Sequence, residues 1–287
     1  MTNQVPGRLY VVATPIGNLG DLSQRARETL AGCALVAAED TRHTGALLAH
    51  CGIKTPLASL HDHNETQRTA LLVPRLLAGD SIALVSDAGT PAISDPGFEL
   101  VRAAAAAGVE VVAIPGACAA VAALSIGGLP TSRFCFEGFL PARGAARRAR
   151  LEELKAEART LVFYESPHRV RETLDDCTAA FGPDRAAVVS REITKLHETT
   201  YRGTLGDLNA QAATDADFAR GEIVLLVAGS PAQVDEAGGD GHGGALDRVL
   251  HLLLAELPLK QAAHLAAKIV GARDNESYKR ALKLKLE

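Results

Sequence analysis

Over the first 130 residues, short, mainly apolar runs alternate with longer stretches whose apolar residues recur every three or four positions. The runs at 9–13, 34–38, 57–60, 81–86 and 109–114 read as strands, and the unbroken hydrophobicity of 9–13 suits a strand covered on both faces. Helical patterns fill the gaps: 23–31, a helix opened by Glu39-Asp40-Thr41-Arg42-His43, one running from His61-Asp62-His63-Asn64-Glu65 to about 78, 98–107, and one from Pro115-Gly116-Ala117-Cys118-Ala119 to about 126. Single helices between successive strands predict a mostly parallel sheet with right-handed crossovers.

Gly127-Gly128-Leu129-Pro130 punctuates the pattern and divides an N-terminal α/β domain (1–128) from a C-terminal one (129–230). Strands are expected at 134–140, 160–164, 186–193, 199–205 and 222–228, with helices at 145–158, 170–180 and 206–213. Several of these strands follow one another through short turns, which predicts a mixed sheet. Residues 231–244 are rich in Gly and Asp and read as a linker. The remainder, 245–287, is a small helical tail with amphipathic helices at 246–254, 259–270 and 277–284. No fixed-period repeat is present.

Composition narrows the function classes. The 287 residues are 47% hydrophobic and 22% charged, ordinary for a globular chain. A net charge of -4 excludes a uniformly basic nucleic-acid coat, so any polyanion must meet local patches. Five cysteines without a Cys-x-x-Cys argue against a disulfide framework and fit a reducing cytoplasm. No apolar run approaches bilayer length and no secretory leader pattern opens the chain, so a soluble cytoplasmic protein with no membrane partner is expected.

The densest chemistry lies in SIALVSDAGTPAISDPG, residues 81–97. A strand ends in an acid, Asp87, followed by a loop of small residues and then a helix. This is where ligands of parallel α/β sheets settle. The loop lacks the Lys-Ser/Thr of a triphosphate cradle and suits a ligand with polar and cationic parts. Gly239, Gly241 and Gly244 match a dinucleotide fingerprint literally, but no strand precedes them. His61 and His63 offer metal-ligand types without a spaced third ligand, so no metal is expected, and the pair reads as lining a polar cleft or a solvated loop. Ser166-Pro167 starts a helix and sets Glu165, His168 and Arg169 at its front. Asp40 at a helix start is favoured by the helix dipole; Arg42 there opposes it, which hints at a ligand such as phosphate. Arg143, Arg147, Arg148 and Arg150 form one basic cluster. Lys260, Lys268, Arg273, Lys279, Arg280, Lys283 and Lys285 form another. Each is a solvated helix face or a polyanion footprint.

Eight strings in order, TPIGNLGD, AAEDTRHTG, SLHDHNE, SDAGTPAISDPG, IPGACAA, FEGFLP, FYESPHR and GEIVLLVAG, span residues 14–229. Together they resemble the ribosomal RNA small-subunit methyltransferase I family, within the tetrapyrrole-methylase-like (class III) S-adenosylmethionine enzymes. The resemblance implies two α/β domains with the cofactor in the cleft between them, a homodimer, and methyl transfer to the ribose 2′-hydroxyl of a cytidine in the decoding region of 16S ribosomal RNA or the small subunit. By matching position, it implies that Pro15, Asp87, Ala88, Gly89, Thr90, Ile93, Cys118 and Ala119 line the S-adenosylmethionine pocket and that Tyr164 and Glu165 close it. Tetrapyrrole members carry Gly-Asp-Pro where this chain has Ser86-Asp87-Ala88.

A ribose hydroxyl is a weak nucleophile, and a nearby base accelerates its attack by about a hundredfold. Asp40, His61, His63 and Glu165 are the candidates, with Glu39 and Asp95 behind them. Arg42, Arg147, Arg148, His168, Arg169, Lys279 and Arg280 are the expected RNA contacts. Two rival functions stand beside this one: C-methylation of a tetrapyrrole precursor, and a non-catalytic RNA-binding factor of ribosome assembly.

Overall fold

In the computed structural model, which describes residues 5–231 and 243–285, five strands form the first sheet: β1 (Arg8–Val12), β2 (Leu35–Ala38), β3 (Leu57–Ser59), β4 (Ile82–Val85) and β5 (Glu110–Ile114). Every neighbour pair is parallel, in the order β3-β2-β4-β1-β5. All four residues of β2 and of β4 are buried. Helices α1 (Gln24–Gly32) and α2 (Thr41–His50) contribute to the core on one face, with Leu30 and Leu47 against Val12 and Val36. Helices α3 (Glu65–Leu77) and α4 (Phe98–Ala106) cover the other, with Leu72, Leu76 and Leu100 against Leu9 and Leu84.

The second sheet holds β6 (Phe134–Phe139), β7 (Thr160–Glu165), β8 (Ala186–Arg191), β9 (Thr199–Thr204) and β10 (Ile223–Val227), ordered β6-β7-β10-β8-β9. Only β6 and β7 run parallel; the other pairings are antiparallel, so the sheet is mixed as expected. One face is covered by α6 (Gly144–Glu153), α7 (Val170–Phe181) and α8 (Leu205–Thr214) around Phe163, Leu174 and Phe218. The other receives α5 (Ala119–Gly127), whose Ala120, Ala123 and Leu124 pack on Val162, Val188 and Leu226. This core ties Ile16 and α5, which follow β1 and β5 of the first sheet, to the second sheet, and the described residues through Ser230 form one compact unit.

Three helix boundaries differ from the sequence reading by three residues or more, one of them the start of the first tail helix, at Gly243 rather than 246. Helix α6 stops at Glu153, five residues early, because Lys155 and Glu157 donate to the carbonyls of Glu152 and Leu154 in tight i→i−3 turns. The last helix begins at Asp274, three residues early, since Asp274 and Glu276 suit its positive N-terminus although they carry no apolar period.

The residues from Pro231 on form a second unit. Here α9 (Gly243–Glu256), α10 (Leu259–Val270) and α11 (Asp274–Leu284) enclose a small core of Leu246, Leu250, Ala263, Ala266 and Ala281. Most of the expected linker, with Gly239 and Gly241, lies outside the described residues; positions 243 and 244 belong to α9. No helix among the described residues is long and apolar enough to cross a membrane.

Candidate active site

Strand order builds the site. Because β4, β1 and β5 are neighbours, the loops leaving their carboxyl ends meet side by side. Thr14 and Gly89 exchange backbone hydrogen bonds of 2.9 and 3.1 Å, pinning the first loop to the second. Gly89 holds φ +82°, a conformation L-residues rarely adopt. Thr90 Oγ1 donates to the Ala117 carbonyl (3.1 Å), tying the second loop to the third. At the far end of the Asp87–Gly97 loop, the Glu65 carboxylate accepts from the amides of Gly97 (2.9 Å) and Glu99 (2.8 Å). It thereby caps α4, whose N-cap glycine has no side chain.

These loops form one wall of a cavity of about 400 Å³, in the range of small-molecule sites. The second sheet supplies the other wall: Phe139, Tyr164, Glu165, Ser166, Pro167, Ile193 and residues 221–224. Tyr164 bridges the walls, its hydroxyl oxygen accepting from the Ala120 amide (3.2 Å) while its ring meets Phe136 and Phe139 edge-on. A bulge in β6 brings Gly138 against Ser94; a Cβ on Gly138 would lie 2.8 Å from Ser94 Oγ. Ala92 and Ser94 hold positive φ of 65° and 63° in this loop, strain of the kind that concentrates at functional sites.

Asp87, Ala88, Gly89, Thr90, Ile93, Cys118, Ala119, Tyr164 and Glu165 all line the cavity. Pro15 does not; its neighbour Ile16 takes that place. Asp40 also stays outside. It caps α2, accepting from the Arg42 amide (2.8 Å) and guanidinium (2.6 Å), and that cation holds its carboxyl well below the usual range. Arg42 is largely exposed. His61 and His63 lie on the loop after the edge strand β3 and do not line the cavity. His61 Nε2 meets Asn64 Nδ2 at 3.0 Å. Among the described residues no three His, Cys, Asp or Glu side chains are grouped to hold a metal.

Five carboxyl groups line the cavity, with no Lys or Arg. Glu165 is buried and committed to its own helix start, accepting from the Ser166 amide (2.8 Å) and Thr173 hydroxyl (2.6 Å) and pairing with Arg169. Glu222 pairs with Lys195 (3.2 Å). Glu39, Asp87 and Asp95 form no salt bridge among the described residues, although Arg42, outside the cavity, exerts an electrostatic pull on Asp87. Asp87 Oδ1 accepts from the Asp40 amide (3.0 Å), and the Asp87 amide faces Glu39 (3.4 Å), which locks the ends of β2 and β4 together. Burial pushes the Asp95 carboxyl up to about 6, against the opposing Ser86 hydroxyl bond and with help from the charges of Glu39, Asp87 and Asp62. Burial raises Glu39 as well. The cavity thus favours a ligand that brings positive charge.

The basic residues are dispersed. Arg147 is buried, its guanidinium bonded to Asp176 (2.6 Å) and Glu172 (3.3 Å), which leaves Arg148 as the exposed member of that pair. Arg169 donates to the carbonyls of Leu140 (2.8 Å) and Pro141 (3.2 Å), fastening the end of β6. Arg280 is bonded to Asp247, linking α11 to α9. Charge alone could not distinguish these internal roles from a surface footprint. Arg42, His168 and Lys279 are exposed.

A family profile described as Tetrapyrrole (Corrin/Porphyrin) Methylases matches residues 8–209, and one described as RsmI C-terminal HTH domain matches residues 240–285. The chain is 54% identical over 276 residues to Ribosomal RNA small subunit methyltransferase I of Pseudomonas aeruginosa, covering 96% of this chain and 97% of that protein. It is 53% identical to the protein of the same name from Escherichia coli O157:H7, covering 96% and 95%. Among solved structures it is similar to uroporphyrin-III-C-methyltransferase from Thermus thermophilus (TM-score 0.54, 21% identity, 77% of this chain and 94% of that one) and to diphthine synthase (TM-score 0.58, 16% identity, 77% and 90%). Those two likenesses are of fold. With strand-end loops, cavity and sequence in agreement, the chain belongs to the ribosomal RNA small subunit methyltransferase I family, on the tetrapyrrole-methylase fold.

Proposed function

We propose that this chain transfers a methyl group from S-adenosylmethionine to the ribose 2′-hydroxyl of a cytidine in the decoding region of 16S ribosomal RNA. The observation that carries the reading is the charge of the cleft: Glu39, Asp87 and Asp95 line it without a salt bridge among the described residues, beside an apolar wall of Ile16, Phe139 and Ile193. That combination suits a ligand with an apolar body, a sulfonium and an ammonium. When bound, S-adenosylmethionine supplies a methyl group already activated by its sulfonium. The loop backbone from Asp87 to Thr90, with Cys118, Ala119 and Tyr164, would hold it.

The protein's remaining task is to orient the hydroxyl and receive its proton. Orientation alone contributes up to roughly 7–11 kcal/mol at the ideal limit. Of the candidate bases, Asp95 and Glu39 line the cavity as carboxyls that burial raises in the free protein and that the bound cation would ionise, which leaves either ready to accept the hydroxyl proton. Glu165 acts instead as a positioning group, its oxygens already filled. Arg42, Arg148, His168 and Lys279 are the exposed groups available to RNA phosphates. The chain works in the cytoplasm as a homodimer in this reading, which sedimentation velocity checks.

The direct test incubates the protein with methyl-labelled S-adenosylmethionine and, separately, small ribosomal subunits, naked 16S RNA and a uroporphyrinogen-type tetrapyrrole. Label on the RNA or subunit alone is expected. Label on the tetrapyrrole alone would overturn the reading. RNA binding without transfer would point to an assembly factor.

A further inference from the structure

The cleft accounts for the first compact unit but leaves the second without a task. In that unit α10 and α11 are joined by Gly271-Ala272-Arg273, and Gly271 takes the left-handed conformation (φ +71°) that ends α10. A three-residue turn containing Gly is the helix-turn-helix connection. The pair is firmly fixed. Ser277 Oγ donates to the Ala263 carbonyl (2.6 Å) in the buried seam, and Arg280 clamps α11 to Asp247 of α9.

Between the first turns of α10 and α11 lies an open notch of about 490 Å³. Its lining includes Lys260, Gln261 and His264 from one helix and Asp274, Asn275 and Tyr278 from the other. His264 Nδ1 meets both Asp274 oxygens at 3.2 Å. Tyr278 leaves 41% of its surface open, too much for a core anchor. Residues 243–285 carry eight Lys and Arg against four Asp and Glu, within a chain whose overall balance is acidic.

We propose that this notch binds one unpaired nucleotide of RNA. The phenol offers a stacking face and the carboxamides of Gln261 and Asn275 offer donors and acceptors for a base edge. Lys260 supplies a charge for the adjoining phosphate. An aromatic face beside edge-reading amides and a cation is the equipment for single-stranded RNA rather than duplex. The local basic excess favours a polyanion over a protein partner. The inference rests on the proposed RNA substrate and adds a second grip on it, separate from the cleft.

The test measures affinity of the full chain for a fluorescein-labelled single-stranded decoding-region RNA and for its fully duplexed counterpart. Tyr278→Ala should weaken single-strand binding about tenfold, the scale of one lost stack, and Tyr278→Phe should restore it. Lys260→Gln should reduce the salt slope by about one. Calorimetric affinity for S-adenosylmethionine should not change in any variant. Single-strand affinity insensitive to Tyr278→Ala, or a preference for duplex, would overturn the proposal. Methyl transfer is read separately: wild-type protein that binds RNA through Tyr278 yet methylates none would sink the function and leave the notch, whereas transfer with Tyr278-independent binding would do the reverse.

Discussion

Cofactor binding should be coupled to protons through Asp95. Its carboxyl is held at about 6 by burial and by the charges of Glu39, Asp87 and Asp62. In the free protein the folded value therefore lies above the ordinary 3.8, so its contribution to stability is full below about pH 4 and is lost as pH rises through about 6. A cation in the cleft reverses this preference by favouring the ionised form. If the bound cation restores an ordinary aspartate near 4, binding at pH 6 releases about half a proton and binding at pH 8 almost none. Affinity should then fall about tenfold from pH 8 to pH 5. Calorimetry in two buffers of different ionisation enthalpy reads the proton count directly. Asp95→Asn should remove most of the linkage, leaving a smaller part from Glu39, whose carboxyl is also raised. Proton uptake on binding, or no linkage at pH 6, would refute the reasoning.

Other consequences follow from named contacts. Asp176→Ala leaves the buried Arg147 guanidinium only its longer bond to Glu172 and should cost about 1.5–3 kcal/mol, read by denaturant unfolding. Glu65→Ala removes the single carboxylate oxygen that accepts both amide bonds at the start of α4 and should cost about 1.5–3 kcal/mol and weaken cofactor binding, with Glu65→Gln milder because its amide oxygen can still accept from both. Gly138→Ala places a methyl group against Ser94 at a positive φ; a loss of about 1–3 kcal/mol in stability, with weaker cofactor affinity by calorimetry, is expected.

The fold was legible because its signals are local. The runs of β1, β2 and β4 are continuous and apolar, and each is followed by an amphipathic stretch that covers one face of the sheet. The first wall of the site was legible in part for the same reason: the loop from Asp87 follows a strand end, whereas Cys118 and Ala119 were expected only through the family resemblance. The opposite wall was not. Phe139, Ile193 and residues 221–224 reach the cavity because α5 and Ile16, which follow strands of the first sheet, pack on the second, a long-range event with no local mark. Charged residues were hardest to read. Arg147 finds Asp176 twenty-nine positions away, and nothing in its own cluster separates it from exposed Arg148. Glu65 went unread as a cap because its partners, Gly97 and Glu99, lie beyond the next strand.

Nucleoside analysis of methylated 16S RNA tests the central claim most directly. After reaction with small subunits, the RNA is digested to nucleosides and resolved by mass spectrometry, with nuclease mapping of the modified fragment. The account predicts 2′-O-methylcytidine from the decoding region. A base-methylated cytidine, or a methyl group on any other nucleotide, would contradict it.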